Sequence, residues 1–255
     1  MTFRALIHRT ALVVLIGWGL SSLAAAQGTV TPKAAAKGRK IELSLYSLES
    51  ERLLYRGNRT IVEDQDKVEV TTVFTTPAGK PFQTTVSVFE KVGLVPISYQ
   101  LNDLRSGETE SLIRNGDTIE LRYRENSEED EDDGTVDWEP GSLFTGTVVD
   151  FMHAQWAALM ENREFGFSFL VPSKQDAYSF RILRDEERSF KAKGQEVIRM
   201  EPDSWIIRRL VDPMFFFFST EEPRRLMEFR GRSSIKDETG EPQDLRITYS
   251  YLGQN

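Results

Sequence analysis

No cysteine occurs anywhere in the 255 residues, and histidine occurs only twice, at His8 and His153. The missing thiols exclude disulfides, thiol nucleophiles and acylation of an N-terminal cysteine. With so little histidine, zinc sites built from Cys and His are excluded as well. Basic charge is also in short supply: 32 Lys and Arg stand against 40 Asp and Glu, a formal charge of −8. Such a chain has no electrostatic footprint for nucleic acid and is repelled by anionic headgroups. Beyond the first residues no apolar stretch approaches the roughly 20 residues of a membrane helix. No G-x-G-x-x-G, no P-loop and no G-x-S-x-G elbow is present, since Gly166–Leu170 (GFSFL) fails at its last position. No fixed-period repeat is visible, which argues against propellers and solenoids.

What is present begins with a targeting pattern. Arg4 and Arg9 form a basic region, Ala11 to Leu20 an apolar one, and Ser22-Leu23-Ala24-Ala25-Ala26 a small-residue cleavage pattern. This order predicts a secretory signal peptide over 1–26, cleaved after Ala26, and therefore a periplasmic protein with no membrane anchor left after cleavage. Losing Arg4 and Arg9 leaves 30 basic against 40 acidic side chains, a charge of −10. Residues 27–40 lack apolar periodicity and are expected to be a flexible leader. Residues 41–255 are expected to form a single domain.

Strand signals dominate that domain. The runs 41–48, 67–76 and 82–92 are rich in β-branched and aromatic residues, with a Pro/Gly turn at 77–81 joining the last two as a hairpin. Residues 96–101 follow as another strand. Asn115-Gly116 sits between two alternating runs, a strong hairpin signal. In its second arm Ile119, Leu121 and Tyr123 face one way, and Glu120, Arg122 and Arg124 the other. Residues 125–141 read as an acidic loop. An EF-hand register fails there: with Gly134 at position six, position twelve is Pro140, where a bidentate Glu is needed.

The period then changes. Val148, Phe151, Met152, Gln155, Trp156 and Leu159 recur at helical spacing, predicting a helix over about 145–161. Strands resume at 165–172, 177–183 and 188–200. Residues 202–213 fit either a short helix or a strand, and the last strands lie at 224–235 and 244–252. Roughly ten to twelve antiparallel strands with one or two helices predict a mainly β fold, a curved sheet or half-barrel with the helix on its concave face.

The aromatic residues raise the functional question. Phe215–Phe218 stand side by side, although a strand with one wet face alternates apolar and polar. Phe165, Phe167 and Phe169 alternate on another strand. Such rings either fill a core or line a cavity for an apolar or lipid-like ligand. The lining candidates are Phe151, Trp156, Phe167, Phe169, Phe216 and Phe218, with the inward face of the Phe run left open. Arg224 and Arg225, beside Glu221 and Glu222, read either as headgroup holders or as hairpin ion pairs. His153, alone in the mature chain, reads as a packing or helix-surface residue.

The stretch 212–251 (DPMFFFFSTEEPRRLMEFRGRSSIKDETGEPQDLRITYSY) resembles a group of uncharacterised Gram-negative periplasmic proteins sharing the unclosed β-barrel of the LolA/LolB lipoprotein carriers. The resemblance rests on an aromatic strand, a hairpin, a strand ending RRLMEFRG, a Gly turn and a final amphipathic strand. It implies a curved antiparallel sheet with helices plugging the concave face, and an apolar cavity that binds acyl chains. No binding residue of those carriers aligns with a position here, and the lipobox cysteine of LolB is missing. The leading expectation is an exported, non-enzymatic protein that needs no cofactor and carries a hydrophobic ligand. A structural or interaction protein of the cell envelope, docking a protein partner through a sheet edge, is the alternative. A carboxylate-based hydrolase comes third.

Overall fold

The structure, a computed structural model, describes residues 38–209 and 211–253. The expected signal peptide lies outside the described residues, as does the expected leader up to residue 37. Eight strands come first: β1 (Arg39–Ser47), β2 (Leu53–Glu63), β3 (Lys67–Thr75), β4 (Pro81–Glu90), β5 (Pro96–Asp103), β6 (Thr109–Asn115), β7 (Thr118–Arg124) and β8 (Asp132–Asp137). Helices α1 (Val148–Ala154) and α2 (Trp156–Met160) follow, then β9 (Phe165–Val171), β10 (Asp176–Arg184) and α3 (Glu186–Lys191). The chain continues through β11 (Gln195–Pro202), β12 (Met214–Ser219), β13 (Leu226–Lys236) and β14 (Pro242–Leu252).

All these strands join one antiparallel sheet in the order β8-β7-β6-β5-β4-β3-β2-β1-β14-β13-β12-β11-β10-β9. The described chain therefore starts in the middle of the sheet and steps outward by neighbouring connections to β8. It crosses to the opposite edge and steps back until β14 pairs with β1. The crossing connection carries α1 and α2, so the helical pattern falls where the chain must traverse the sheet. The fold is mainly β, and the sheet does not close into a barrel, as expected. Its free edges are covered: Leu143 bridges Phe169 of β9, donating to the Ser168 carbonyl and accepting from the Leu170 amide, each at 2.8 Å. Toward the other edge the turn Pro172–Lys174 packs on β6 and β7, β10 approaches the edge strand β8, and β8 carries Asp132, Asp133 and Asp137. Capping and charge of this kind suppress edge-to-edge pairing.

Period-two burial produces the core. Ile41, Leu43 and Leu45 of β1 are buried, while Lys40 before them and Glu42 between the first two are exposed. One interior cluster gathers these with Met152, Trp156, Leu159, Phe216 and Phe218. A second holds Phe89, Tyr99, Leu112, Leu121 and Phe144 under β4–β7. The plug enters at Gly146, where an added Cβ would stand 2.6 Å from Ser87 Cβ on β4. Only a residue without a side chain allows that approach.

Several expectations need correction. Fourteen strands form where ten to twelve were expected, because β2 and β8 were not recognised. In β2, Gly57, Asn58 and Arg59 interrupt the apolar alternation. Its glycine lies close under Phe74: a Cβ there would sit 3.1 Å from the ring, a tight contact. Strand β8 lies inside the presumed acidic loop: its backbone pairs with β7 while its side chains stay largely outside the core. Strand β1 begins at Arg39, within the presumed leader. The single expected helix is two short ones meeting at Gln155, whose φ of −95° and ψ of 5° depart from helical values. Residues 186–191, partly assigned to a strand, form α3, because the Asp185 side chain accepts from the Arg188 amide at 2.9 Å and caps a helical turn. Among the described residues between β11 and β12 there is neither a full helix nor a strand, and Ile207–Arg209 makes a 3-10 turn.

Candidate ligand-binding site

A pocket opens beneath the first turn of α1. There a cavity of about 150 Å³ lies between α1 and the concave face of β1–β5, β13 and β14. Cross-strand register explains its position. One inward row runs Tyr251, Ile41, Arg59, Thr72, Thr85. The next runs Arg39, Ile61, Val70, Ser87, Tyr99. Phe74 and Phe89, two residues from Thr72 and Ser87, fill the core. The short side chains of Thr72, Thr85 and Ser87, opposite Gly146, leave it unfilled.

The cavity wall is mixed in character. Ile41, Ile61, Val70 and Val149 supply apolar surface, while Arg39, Arg59, Asp150 and His153 supply charge or hydrogen bonding. Arg59 donates from Nε to Thr72 Oγ1 at 3.1 Å, and its guanidinium carbon lies 5.8 Å from the Tyr249 ring centroid. Arg39 pairs with Glu63. Asp150 lines the pocket from α1, where surrounding protein raises its carboxyl pKa against the opposing pull of His153, Arg39 and Arg59. His153, one helical turn from Asp150, meets the Arg224 carbonyl through Nε2 at 2.8 Å. Burial lifts the Tyr251 hydroxyl to about 12, and that hydroxyl donates to the Leu226 carbonyl at 2.9 Å.

A second polar assembly links β13 to the strands of the other half of the sheet. Between Arg232 and Lys236, β13 bulges against β14 and reaches over the concave face to β4–β7. Lys236 Nζ bonds Glu108 Oε1 at 2.8 Å and Tyr123 Oη at 2.9 Å, and its carbonyl accepts from Arg105 at 3.1 Å. Gln83 donates to the Ser234 carbonyl at 3.3 Å. Burial raises Glu108, while Lys236 draws it back. Burial likewise raises Glu110 to about 7, with Glu108 adding to the effect; the Tyr99 hydroxyl donates to Glu110 and opposes it. Tyr99 also lines the cavity, so the two assemblies touch through one side chain. Among the described residues no group of three or more His, Asp or Glu side chains is placed to hold a metal ion. Nor is any described helix long and apolar enough to cross a membrane.

None of the six ring candidates lines the cavity. Phe216, Phe218 and Trp156 pack into the main core, with Trp156 and Phe218 in an edge contact at 5.3 Å. Phe151, Phe167 and Phe169 collect with Phe180 at the β9–β10 end, at centroid separations of 5.5 to 6.4 Å. The outward rings of the Phe run are covered by the chain itself, Phe215 by Arg188 and Phe217 by Arg230. Arg224 pairs with Glu222 at 2.5 Å and lies over Trp156, while Arg225 lies over Tyr251. Arg59, Thr72, Thr85 and Asp150 went unnoticed in the sequence. Their one signal was a charged residue and short polar residues at inward positions of otherwise apolar strands, and recognising it required the register of β2.

Fold and cavity together define an open β half-barrel, plugged by a helix over a small internal site. No family model matches the chain, and neither a curated protein nor a solved structure does. Its residues alone carry the functional reading.

Proposed function

We propose that this protein is an exported, periplasmic binding protein that takes the apolar part of a small ligand into the cavity between α1 and the concave sheet face. The observation that carries this reading is the void itself. Aliphatic side chains wall this pocket, with convergent polar groups at its rim, the usual build of a ligand site. An open antiparallel sheet crossed by a helix is also the architecture that the resemblance to the LolA/LolB carriers implied. At about 150 Å³ the cavity suits an aromatic ring or a short aliphatic chain rather than a full acyl chain.

Native mass spectrometry of the protein isolated from the periplasm tests this. The expected result is a small adduct released on denaturation and lost in a folded Val149→Trp variant that fills the void. A protein without adduct, and not stabilised by any apolar probe, sinks the reading.

The β11–β12 loop favours a second reading, an envelope interaction protein. Trp205 and Ile206 are 60% and 57% exposed there, and exposed aromatic anchors mark contact surfaces. Photo-crosslinking from position 205 in the periplasm recovers one discrete partner under this reading, and only scattered products if the loop is idle.

A further inference from the structure

Arg59 projects from the middle of β2 into the cavity. Among the described residues its contacts are the Thr72 hydroxyl and the Tyr249 ring, with no carboxylate at ion-pair distance. Its wall neighbour Arg39 differs, being paired with Glu63. The bond from Nε to Thr72 fixes the guanidinium plane and leaves the two Nη groups free to donate as a fork. A half-buried guanidinium whose Nη groups open on a pocket of mixed polar and apolar wall is placed to answer an anion. The planar partner that fits such a fork is a carboxylate.

Resting on the binding-protein reading above, we propose that the cavity takes a small organic carboxylate, its oxygens on the Arg59 Nη groups and its apolar body against Ile41, Ile61, Val70 and Val149. The volume sets the body's size, because a dry cavity of about 150 Å³ is known to admit one benzene ring. Asp150, on the opposite wall, acts against the anion. Its charge is felt by Arg59, Arg39 and His153 across the void, so it weakens retention and favours release.

Isothermal titration of the folded protein with sodium benzoate, and with benzyl alcohol as the neutral counterpart, tests the assignment. Benzoate is expected to bind at least tenfold tighter than benzyl alcohol. In Arg59→Met the preference disappears while benzyl alcohol still binds; Arg59→Lys keeps part of it, and Asp150→Asn tightens benzoate several-fold. Circular dichroism confirms that each variant is folded. Equal affinity for the two probes in the unsubstituted protein, or a preference that survives Arg59→Met, overturns the carboxylate assignment while leaving the cavity reading intact. Binding of neither probe overturns both.

Discussion

The Arg188 guanidinium lies 3.9 Å from the centroid of the Phe215 ring. Arg230 covers Phe217 in the same manner at 4.9 Å. Four adjacent phenylalanines are therefore stable in one strand because its two faces are covered differently. Phe216 and Phe218 enter the core beneath the plug, and Phe215 and Phe217 lie under arginines from α3 and β13. Cations over aromatic faces contribute roughly 0.5–1 kcal/mol at exposed sites, so the outer cover is weaker than the inner.

That asymmetry is measurable. Phe218→Ala, at a fully buried ring, should cost about 3–5 kcal/mol. Phe215→Ala should cost about 1–2 kcal/mol, from a half-buried ring and one cation contact. Urea unfolding of both variants checks this, and equal losses would show that the two faces carry the same weight.

The Gly146–Ser87 approach should tolerate no added methyl. Gly146→Ala is expected to destabilise by about 1–3 kcal/mol through overpacking. Adding Ser87→Gly should restore part of it, because the two shortest approaches are to the Ser87 side chain at 2.6 Å while the Phe144 ring stays at 2.9 Å. A double-mutant cycle showing no coupling would place the strain elsewhere.

Lys236 and Glu108 form a largely buried pair, their side chains 16% and 4% exposed. Removing only the lysine, as in Lys236→Met, leaves a buried carboxylate and should cost about 3–5 kcal/mol. Combining it with Glu108→Leu should recover most of that loss in thermal unfolding. A double variant as unstable as the single one would mean that the bulge, rather than the charge pair, holds this end of the sheet.

Glu110 predicts a pH dependence. Its folded pKa of about 7 lies above the unfolded value near 4.3, so the folded state holds the proton more tightly. The stability this contributes is complete below the unfolded pKa and is lost as pH rises through about 7. Glu108, also raised, acts in the same direction. Glu110→Gln should therefore be nearly neutral at pH 5 and stabilising by up to about 2 kcal/mol at pH 8. A melting temperature whose pH profile is unchanged by the substitution would refute the shift.

Much of the architecture was legible locally. The β3–β4 hairpin, the Asn115-Gly116 turn, the inward set Ile119, Leu121 and Tyr123, and a central helix all follow from period and turn chemistry among near neighbours. Strands β2 and β8 were not legible, because glycine and arginine interrupt the pattern of one and acidic side chains dominate the other. Their pairing comes from backbone bonds that side-chain periodicity does not report. Helix α3 was misassigned because its apolar content is low and its cap, Asp185, outweighs the strand-like composition around it.

The sequence by itself determined that the chain is mostly antiparallel strand, and that a helical segment lies between two strand groups. Those properties depend on contacts a few residues apart. Only the tertiary structure decided which rings of Phe215–Phe218 meet the plug and which meet arginine. It alone set Arg59 beside Thr72 and beneath Tyr249, and brought Gly146 against Ser87. Each of those relationships joins residues distant in the chain through sheet register, and a void forms only where several short side chains from different strands face the same space.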